Sequence, residues 1–154
     1  MSKPESIVEG IKQYFDECPL IKKMGAKTKV EFLKDDTRSF SIETVPGPSV
    51  IENYLDGVSE RQYRFNLVAR FSYSEEARMN IENSQFFEEL AAWIEEQSDE
   101  ENLPELPKGD EAEELNVTTT GYLFAVSADW RIARYQLQLQ LVYMHDSRTA
   151  KSKG

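Results

Sequence analysis

Residues 131–144 have the sequence RIARYQLQLQLVYM, in which two kinds of side chain alternate. Arg134, Gln136, Gln138 and Gln140 share one parity. The other parity is apolar and consists of Ala133, Tyr135, Leu137, Leu139, Leu141 and Tyr143. Only a β-strand places residues with a period of two on opposite faces. The pattern therefore predicts a strand with one face in a core and one polar face.

A second stretch, residues 62–73, alternates in the same way. Its apolar parity is Tyr63, Phe65, Leu67, Ala69, Phe71 and Tyr73, and its polar parity is Arg64, Asn66, Arg70 and Ser72. We expect these two strands to form the centre of one sheet. Because strands usually have about five or six residues, a strand of this length is expected to outrun its partners and leave a free edge for another subunit.

Two helices are predicted from apolar residues at helical spacing. The first covers residues 7–18, with Ser6 as its cap and Pro19 as its stop. The second covers residues 84–97 and turns an apolar stripe to the core. Its carboxylates Glu88, Glu89, Glu95 and Glu96 are expected to face water.

Shorter alternating runs complete the expected sheet. Residues 29–33 and 39–45 are predicted to form a hairpin that ends at Pro46-Gly47-Pro48, and residues 117–125 to form a hairpin with residues 131–144 through a turn at 127–130. The fold class is therefore α+β, with a mostly antiparallel sheet of four to five strands and two helices packed on it.

The remaining segments are expected to be irregular. Residues 50–60 read as a helical turn or an irregular loop, with Asp56-Gly57 as the strongest turn signal. Residues 98–114 read as a loop anchored by Leu103 and Leu106. We expect a single domain over residues 1–146 and a disordered C-terminal tail over residues 147–154.

Charge and composition limit the class of protein. The net charge is −10, and residues 75–114 contain 15 acidic and 2 basic side chains. Such a segment repels phosphate, so tight nucleic-acid binding is not expected, although lining a DNA path without affinity is compatible with it. The chain has no apolar run long enough to span a membrane and no secretory signal, and its single cysteine, Cys18, favours a reducing compartment. We therefore expect a cytoplasmic protein without membrane contact.

Reactive side chains are scarce. His145 is the only histidine, and we expect it to be a surface residue at the end of the last strand. Cys18 completes an apolar helix face and is expected to be buried. No zinc cluster, phosphate-binding loop or catalytic triad is recognisable, so no catalytic, cofactor-binding or metal-binding residue and no cofactor is predicted. The polar parity of the long strands suits either a wet subunit interface or plain solvent-facing surface.

A family resemblance is carried by the order of the elements and of several short motifs. The motifs are YLDG at 54–57, RQYRF at 61–65, NIEN at 80–83, WI at 93–94, LPEL at 103–106, GYLF at 121–124, ARYQLQL at 133–139 and LVY at 141–143. In this order they resemble the small tail-terminator proteins of tailed bacteriophages and prophages, also labelled minor capsid or tail proteins. The resemblance covers residues 7–146, nearly the whole chain.

The resemblance implies a structural role without enzymatic activity. Such proteins assemble as a ring, typically a hexamer, on the end of the completed tail tube, stop its growth and present a surface to the head connector. The implied partners are other copies of the chain, the tail tube protein and the head connector, with DNA passing through unbound. The protein would reside in the host cytoplasm during assembly and then in the virion tail. On this interpretation the candidate interface residues are Arg64, Arg70, Arg134, Gln136, Gln138 and, from the 46–56 loop, Pro46, Pro48, Tyr54 and Asp56.

Other functions remain open from the sequence. Within the same class, the chain is compatible with another head-tail joining protein or with the terminator of a phage-tail-like bacteriocin. From a different class, it is compatible with a small acidic regulator that mimics DNA through its Glu/Asp segment, or with an uncharacterised enzyme.

Overall fold

Seven strands and four helices make up the described part of the chain. The computed structural model describes residues 3–23, 28–30, 39–72, 76–119, 121–126 and 132–151. The helices are α1 (Ile7–Asp16), α2 (Pro19–Lys23), α3 (Glu76–Asp99) and α4 (Ser147–Lys151). The strands are β1 (Thr28–Val30), β2 (Ser39–Thr44), β3 (Val50–Asn53), β4 (Val58–Ser72), β5 (Asp110–Val117), β6 (Tyr122–Val126) and β7 (Ile132–Asp146).

The two long alternating strands are the centre of one sheet, as predicted. β4 and β7 pair antiparallel along their whole length, from Val58 opposite Asp146 to Ser72 opposite Ile132. The hydrogen-bonded strand order is β1-β2-β4-β7-β5, with β3 added to β4 and β6 added to β7. The predicted α+β fold with a mostly antiparallel sheet is therefore confirmed.

The prediction of a free edge on β4 is wrong. One side of β4 is fully occupied by β7, and the other side pairs with β2 over residues 65–70 and with β3 over residues 59–61. The strand is long because two shorter strands lie end to end beside it. β7 has the same arrangement, since β5 and β6 lie end to end along its other side.

The first predicted hairpin is also wrong. β1 pairs with β2 in parallel, with Thr28 opposite Phe40 and Val30 opposite Ile42. Alternation contains no information about strand direction. Of the second predicted hairpin, the antiparallel pairing of β6 with β7 is confirmed. The predicted strand 117–125 is too long at its start, because Val117 belongs to β5 and residues 118–119 lie in no strand. The turn predicted at 127–130 lies outside the described residues.

Three segments expected to be irregular contain regular structure. Within residues 50–60 the chain forms β3 and a 3₁₀ turn (Leu55–Gly57) that leads into β4. The acidic stretch 110–114, expected to be loop, belongs to β5 because its backbone pairs with β7. Residues 147–151, expected to be disordered, form α4, because the Asp146 carboxylate accepts hydrogen bonds from the backbone amides of Arg148 and Thr149 at the start of the helix.

The core lies between one face of the sheet and helices α1 and α3. Ser6 caps α1 as predicted, since its hydroxyl accepts from the Glu9 amide at 3.1 Å. The buried cluster contains residues of the apolar parity of both long strands, residues of both helices and Cys18, namely Ile11, Phe15, Cys18, Phe65, Leu67, Ala69, Phe87, Leu90, Ile94, Tyr135, Leu137, Leu139, Leu141 and Tyr143. The side chains of Phe71, Tyr73 and Ala133, predicted for the same face, lie outside the described residues. α3 extends ten residues beyond the predicted 84–97, mostly at its N-terminal end. Within the described residues, no helix is both long and apolar enough to cross a membrane.

Candidate subunit interface

The sheet face opposite the helices carries a row of side-chain amides. The Asn116 amide donates to Gln140 at 3.2 Å, and the Gln140 amide donates to Gln62 at 2.6 Å. The Gln62 amide in turn donates to the Pro48 carbonyl oxygen at 3.1 Å. The row crosses β5, β7 and β4 and reaches the segment before β3. We call this side of the sheet the polar face.

A second set of polar contacts covers the far end of the polar face. The Arg134 guanidinium lies 2.7 Å from the Glu43 carboxylate, so an ion pair spans from β7 to β2 across β4. The amides of Gln136 and Gln138 both donate to the Tyr122 hydroxyl, at 2.7 and 3.3 Å. Arg134, Gln136 and Gln138 are therefore held by contacts within this face.

The structure separates the predicted interface residues of the long strands into three groups by exposure. Arg70 and Gln136 are 8% and 5% exposed, so they offer little surface to a partner. Arg134 and Gln138 are half-buried within the contacts just described, whereas Arg64 is exposed. Arg64 forms no ion pair with any described residue. Of the five, Arg64 is the residue most accessible for binding.

The corner of the sheet formed by β3 and the start of β4 exposes apolar side chains. All four residues of β3 are exposed, and Leu55 in the turn that follows is 88% exposed. The exposed large apolar residues here are Val50, Ile51, Tyr54 and Leu55. Exposed large apolar side chains that lie this close together in the chain make the corner a candidate protein–protein contact. We call residues 54–57 the tip.

The conformation of the tip follows from its local sequence. Asp56 has φ 66° and Gly57 has φ 80°, which is the left-handed region that Gly and Asp enter most readily. The Tyr54 amide donates to the Val58 carbonyl at 2.8 Å, and the Ser147 hydroxyl donates to the Gly57 carbonyl at 3.1 Å. The first residue of helix α4 therefore holds the backbone of the tip through this hydrogen bond.

A notch of about 190 Å³ lies between the end of β2 and the start of β3. It is lined mainly by apolar atoms, and its residues are Thr44, Val45, Pro46, Gly47, Pro48, Ser49, Gln62, Tyr63 and Arg64. Two backbone hydrogen bonds tie this segment to β4, from Val45 to the Arg64 carbonyl at 2.9 Å and from Gln62 to the Ser49 carbonyl at 2.7 Å. The predicted residues Pro46, Pro48 and Arg64 thus come together here, while Tyr54 and Asp56 lie at the tip.

Carboxylates surround the tip. The pKa of Glu113 is raised by loss of hydration and by the neighbouring Glu60 carboxylate. The pKa of the Tyr54 phenol is raised by loss of hydration and by Glu52 and Glu60. Glu52 on β3 lies opposite Glu60 on β4, and Glu113 lies at the register shift of β5. The tip is therefore an apolar surface in an acidic setting.

A larger groove of about 580 Å³ lies between the segment before β5 and β5 itself. Glu101, Glu105, Glu111 and Glu113 are among its lining residues, together with Asp110. Within the described residues, no group of three or more His, Cys, Asp or Glu side chains has an arrangement that could hold a metal ion. The groove presents carboxylates without an accompanying nucleophile or cation cluster.

His145, predicted to be a surface residue, contacts Asp110 on the neighbouring strand. Its Nδ1 is 2.5 Å from Asp110 Oδ1, and both side chains are mostly buried. The contact joins β7 to β5 at the point where the two strands pair. Its position in the sheet gives it a structural role, since it links two paired strands. The expectation of a surface His145 is therefore wrong, because pairing with β5 covers the end of β7.

The sequence did not single out Leu55 or the notch as a unit. Leu55 precedes Asp56-Gly57, and a leucine beside a turn signal is unusual because turn residues are mostly polar. An apolar residue next to a turn sequence is the pattern that could have indicated an exposed contact residue. No local sequence pattern predicts the notch, because the notch exists only where β2 and β3 pair with separate parts of β4.

Comparison with models of known protein families finds no match to this chain. A search of curated proteins also finds no match.

Proposed function

We propose that this protein is a tail terminator of a tailed bacteriophage or prophage. It caps the completed tail tube as a ring of identical subunits, typically six, and presents a surface to the head connector. It acts by assembly and catalyses no reaction. The proposal starts from the order of the sequence motifs and is supported by the kinds of surface the fold exposes.

The observation that carries the proposal is the exposed apolar corner at β3 and the tip. Leu55 and Tyr54 are 88% and 47% exposed, and Val50 and Ile51 on β3 are at least 40% exposed. Such a patch is costly in water unless a partner covers it. A ring needs a contact between different patches of neighbouring subunits, and a rotation that closes. An exposed corner on one side of the sheet suits that geometry.

The distribution of acidic residues is compatible with a DNA path. The exposed carboxylates of β5 are Glu111, Glu113 and Glu114, and those of α3 include Glu88, Glu89, Glu95 and Glu96. In a ring with these residues near the channel, repulsion of phosphates would let DNA pass without binding. The protein would act in the host cytoplasm during assembly and then remain in the virion tail.

The direct test is binding to tail tubes assembled without a terminator. The purified protein is mixed with such tubes, and tube ends are imaged by negative-stain electron microscopy. We expect ring-shaped density on one end of each tube and an end to further elongation when tube protein is added. An unrelated acidic protein of similar size is the control. Tubes that stay uncapped and keep growing at a large excess of the protein would refute the proposal.

A further inference from the structure

The tip is built to present a fixed surface. Leu55 projects into solvent, 88% exposed, and Asp56 beside it forms no ion pair with a described residue. The left-handed backbone at Asp56 and Gly57 and the hydrogen bond from Ser147 hold this shape in the free subunit. Little ordering is therefore required when the tip binds.

The notch has complementary properties. Its walls are mainly apolar, and its volume of about 190 Å³ is the scale of a large apolar side chain with space for a neighbour. Arg64 lies at the notch and is exposed. The backbone hydrogen bonds to β4 on both sides of the notch keep it open in the free subunit.

We propose that the tip of one subunit docks into the notch of a second copy of this chain. Leu55 lies against Pro46 and Pro48 of the neighbour, and the Asp56 carboxylate pairs with the neighbour's Arg64. This contact rests on the proposed function, because it is the subunit contact of the proposed ring. Charge complementarity favours the tip as the group that fills the notch. The tip lies among the carboxylates of Glu52 and Glu60, and the exposed Arg64 lies at the notch.

The fold favours a neighbour over the same subunit. β3 runs extended for four residues between the notch segment and the tip, which separates them by roughly 13 Å at about 3.3 Å per residue. A subunit cannot therefore insert its own tip into its own notch. A tip-to-notch contact made reciprocally by two subunits gives a twofold dimer, and the same contact repeated head to tail closes into a ring when the rotation permits. The ring of the proposed function requires the head-to-tail arrangement.

A charge exchange tests the contact. In Asp56→Lys the tip repels the wild-type notch, and in Arg64→Glu the notch repels the wild-type tip. We expect each variant alone to lose self-association at least tenfold in dissociation constant, measured by sedimentation velocity over a concentration series. An equimolar mixture should associate again as alternating subunits, because every tip then meets a notch of opposite charge.

Two further variants serve as a milder substitution at the tip and as a control. Asp56→Asn removes the charge while keeping a residue that tolerates the left-handed backbone, and it should weaken association even if the lysine variant fails to fold. Glu100→Lys reverses an exposed charge just beyond the end of α3 and should leave association unchanged. Circular dichroism checks that each variant is folded.

The outcomes separate the contact from the proposed function. Wild-type association that is insensitive to Asp56→Asn and Arg64→Glu, or a mixture that fails to associate, overturns the contact while tube capping can still stand. Charge-dependent rings that ignore tube ends support the contact and refute the terminator function. Variants that keep self-association but lose tube binding show that the tip binds the tube protein, which also overturns the contact.

Discussion

Replacing Gly10 by alanine compares packing with helix propensity, because the two effects change the free energy of unfolding in opposite directions. Gly10 lies inside α1, where replacing glycine by alanine usually stabilises a helix by about 1 kcal/mol. A methyl group at this position would lie 2.1 Å from the carbonyl oxygen of Glu105. Because carbon and oxygen atoms do not approach that closely without bonding, the segment containing Glu105 must move away from α1. We therefore expect Gly10→Ala to destabilise the protein.

The size of the effect follows from what that segment contributes. Leu106 is 2% exposed, and the Tyr14 hydroxyl donates to the Asn102 carbonyl at 2.9 Å. Losing the burial of a leucine costs about 1.5–3 kcal/mol, and losing a hydrogen bond costs about 1 kcal/mol. After subtraction of the helix-propensity gain of about 1 kcal/mol, we expect Gly10→Ala to lower the free energy of unfolding by about 2 kcal/mol.

Urea unfolding followed by far-ultraviolet circular dichroism measures this change. With a slope of about 2 kcal/mol per molar urea, the transition midpoint should fall by about 1 M. Gly47→Ala is the matched control, since nothing lies within 4 Å of a Cβ there and the change should stay within about 0.5 kcal/mol. A Gly10→Ala variant as stable as the wild type, or more stable, would refute the close approach of α1 to residue 105.

Two electrostatic predictions concern the sheet. The pKa of Glu113 is raised above its ordinary value of 4.5 by loss of hydration and by Glu60, so its contribution to stability is present below pH 4.5 and is lost as the pH rises through the raised pKa. Glu113→Gln should therefore raise the melting temperature at about pH 7 and change it little at about pH 4, and equal shifts at both values would contradict this cause. For the half-buried pair of Arg134 and Glu43, a double-mutant cycle with Arg134→Met and Glu43→Gln should give a coupling energy of about 1 kcal/mol, whereas additive effects would show that the pair contributes nothing.

The centre of the sheet could be predicted because alternation is a local signal with a single structural solution. Phe65, Leu67, Leu137 and Leu139 lie in the core as their parity requires. Strand direction is not encoded in the same way, and β1 therefore pairs in parallel where a hairpin was expected. The free edge predicted for β4 was wrong for a related reason, since a sequence does not show that β2 and β3 share one side of a long strand.

The acidic part of β5 was missed because it lacks the usual signal of a strand. Asp110, Glu111, Glu113 and Glu114 give no apolar alternation, and the strand contains a register shift between Ala112 and Glu114. Its pairing is supplied by the backbone of β7, and a charged, bulged strand is a common form of sheet edge because it discourages pairing with other chains. The candidate site was found in part: the Asp56-Gly57 turn follows from local chemistry, whereas the exposure of Leu55 depends on the whole fold.

The existing hydrogen bonds of the two surfaces favour association of subunits through the sheet corner rather than through the polar face. On the polar face, Gln62, Gln140 and Asn116 bind one another, and Arg134 binds Glu43. A partner there would exchange existing hydrogen bonds for new ones, and the net gain of such an exchange is only about 0.5–1.5 kcal/mol per bond. Covering Leu55 gains about 1.5–3 kcal/mol without breaking any contact. The edge strand with its tip is therefore the surface where a neighbouring subunit gains most, and the polar face is free to border a channel or solvent.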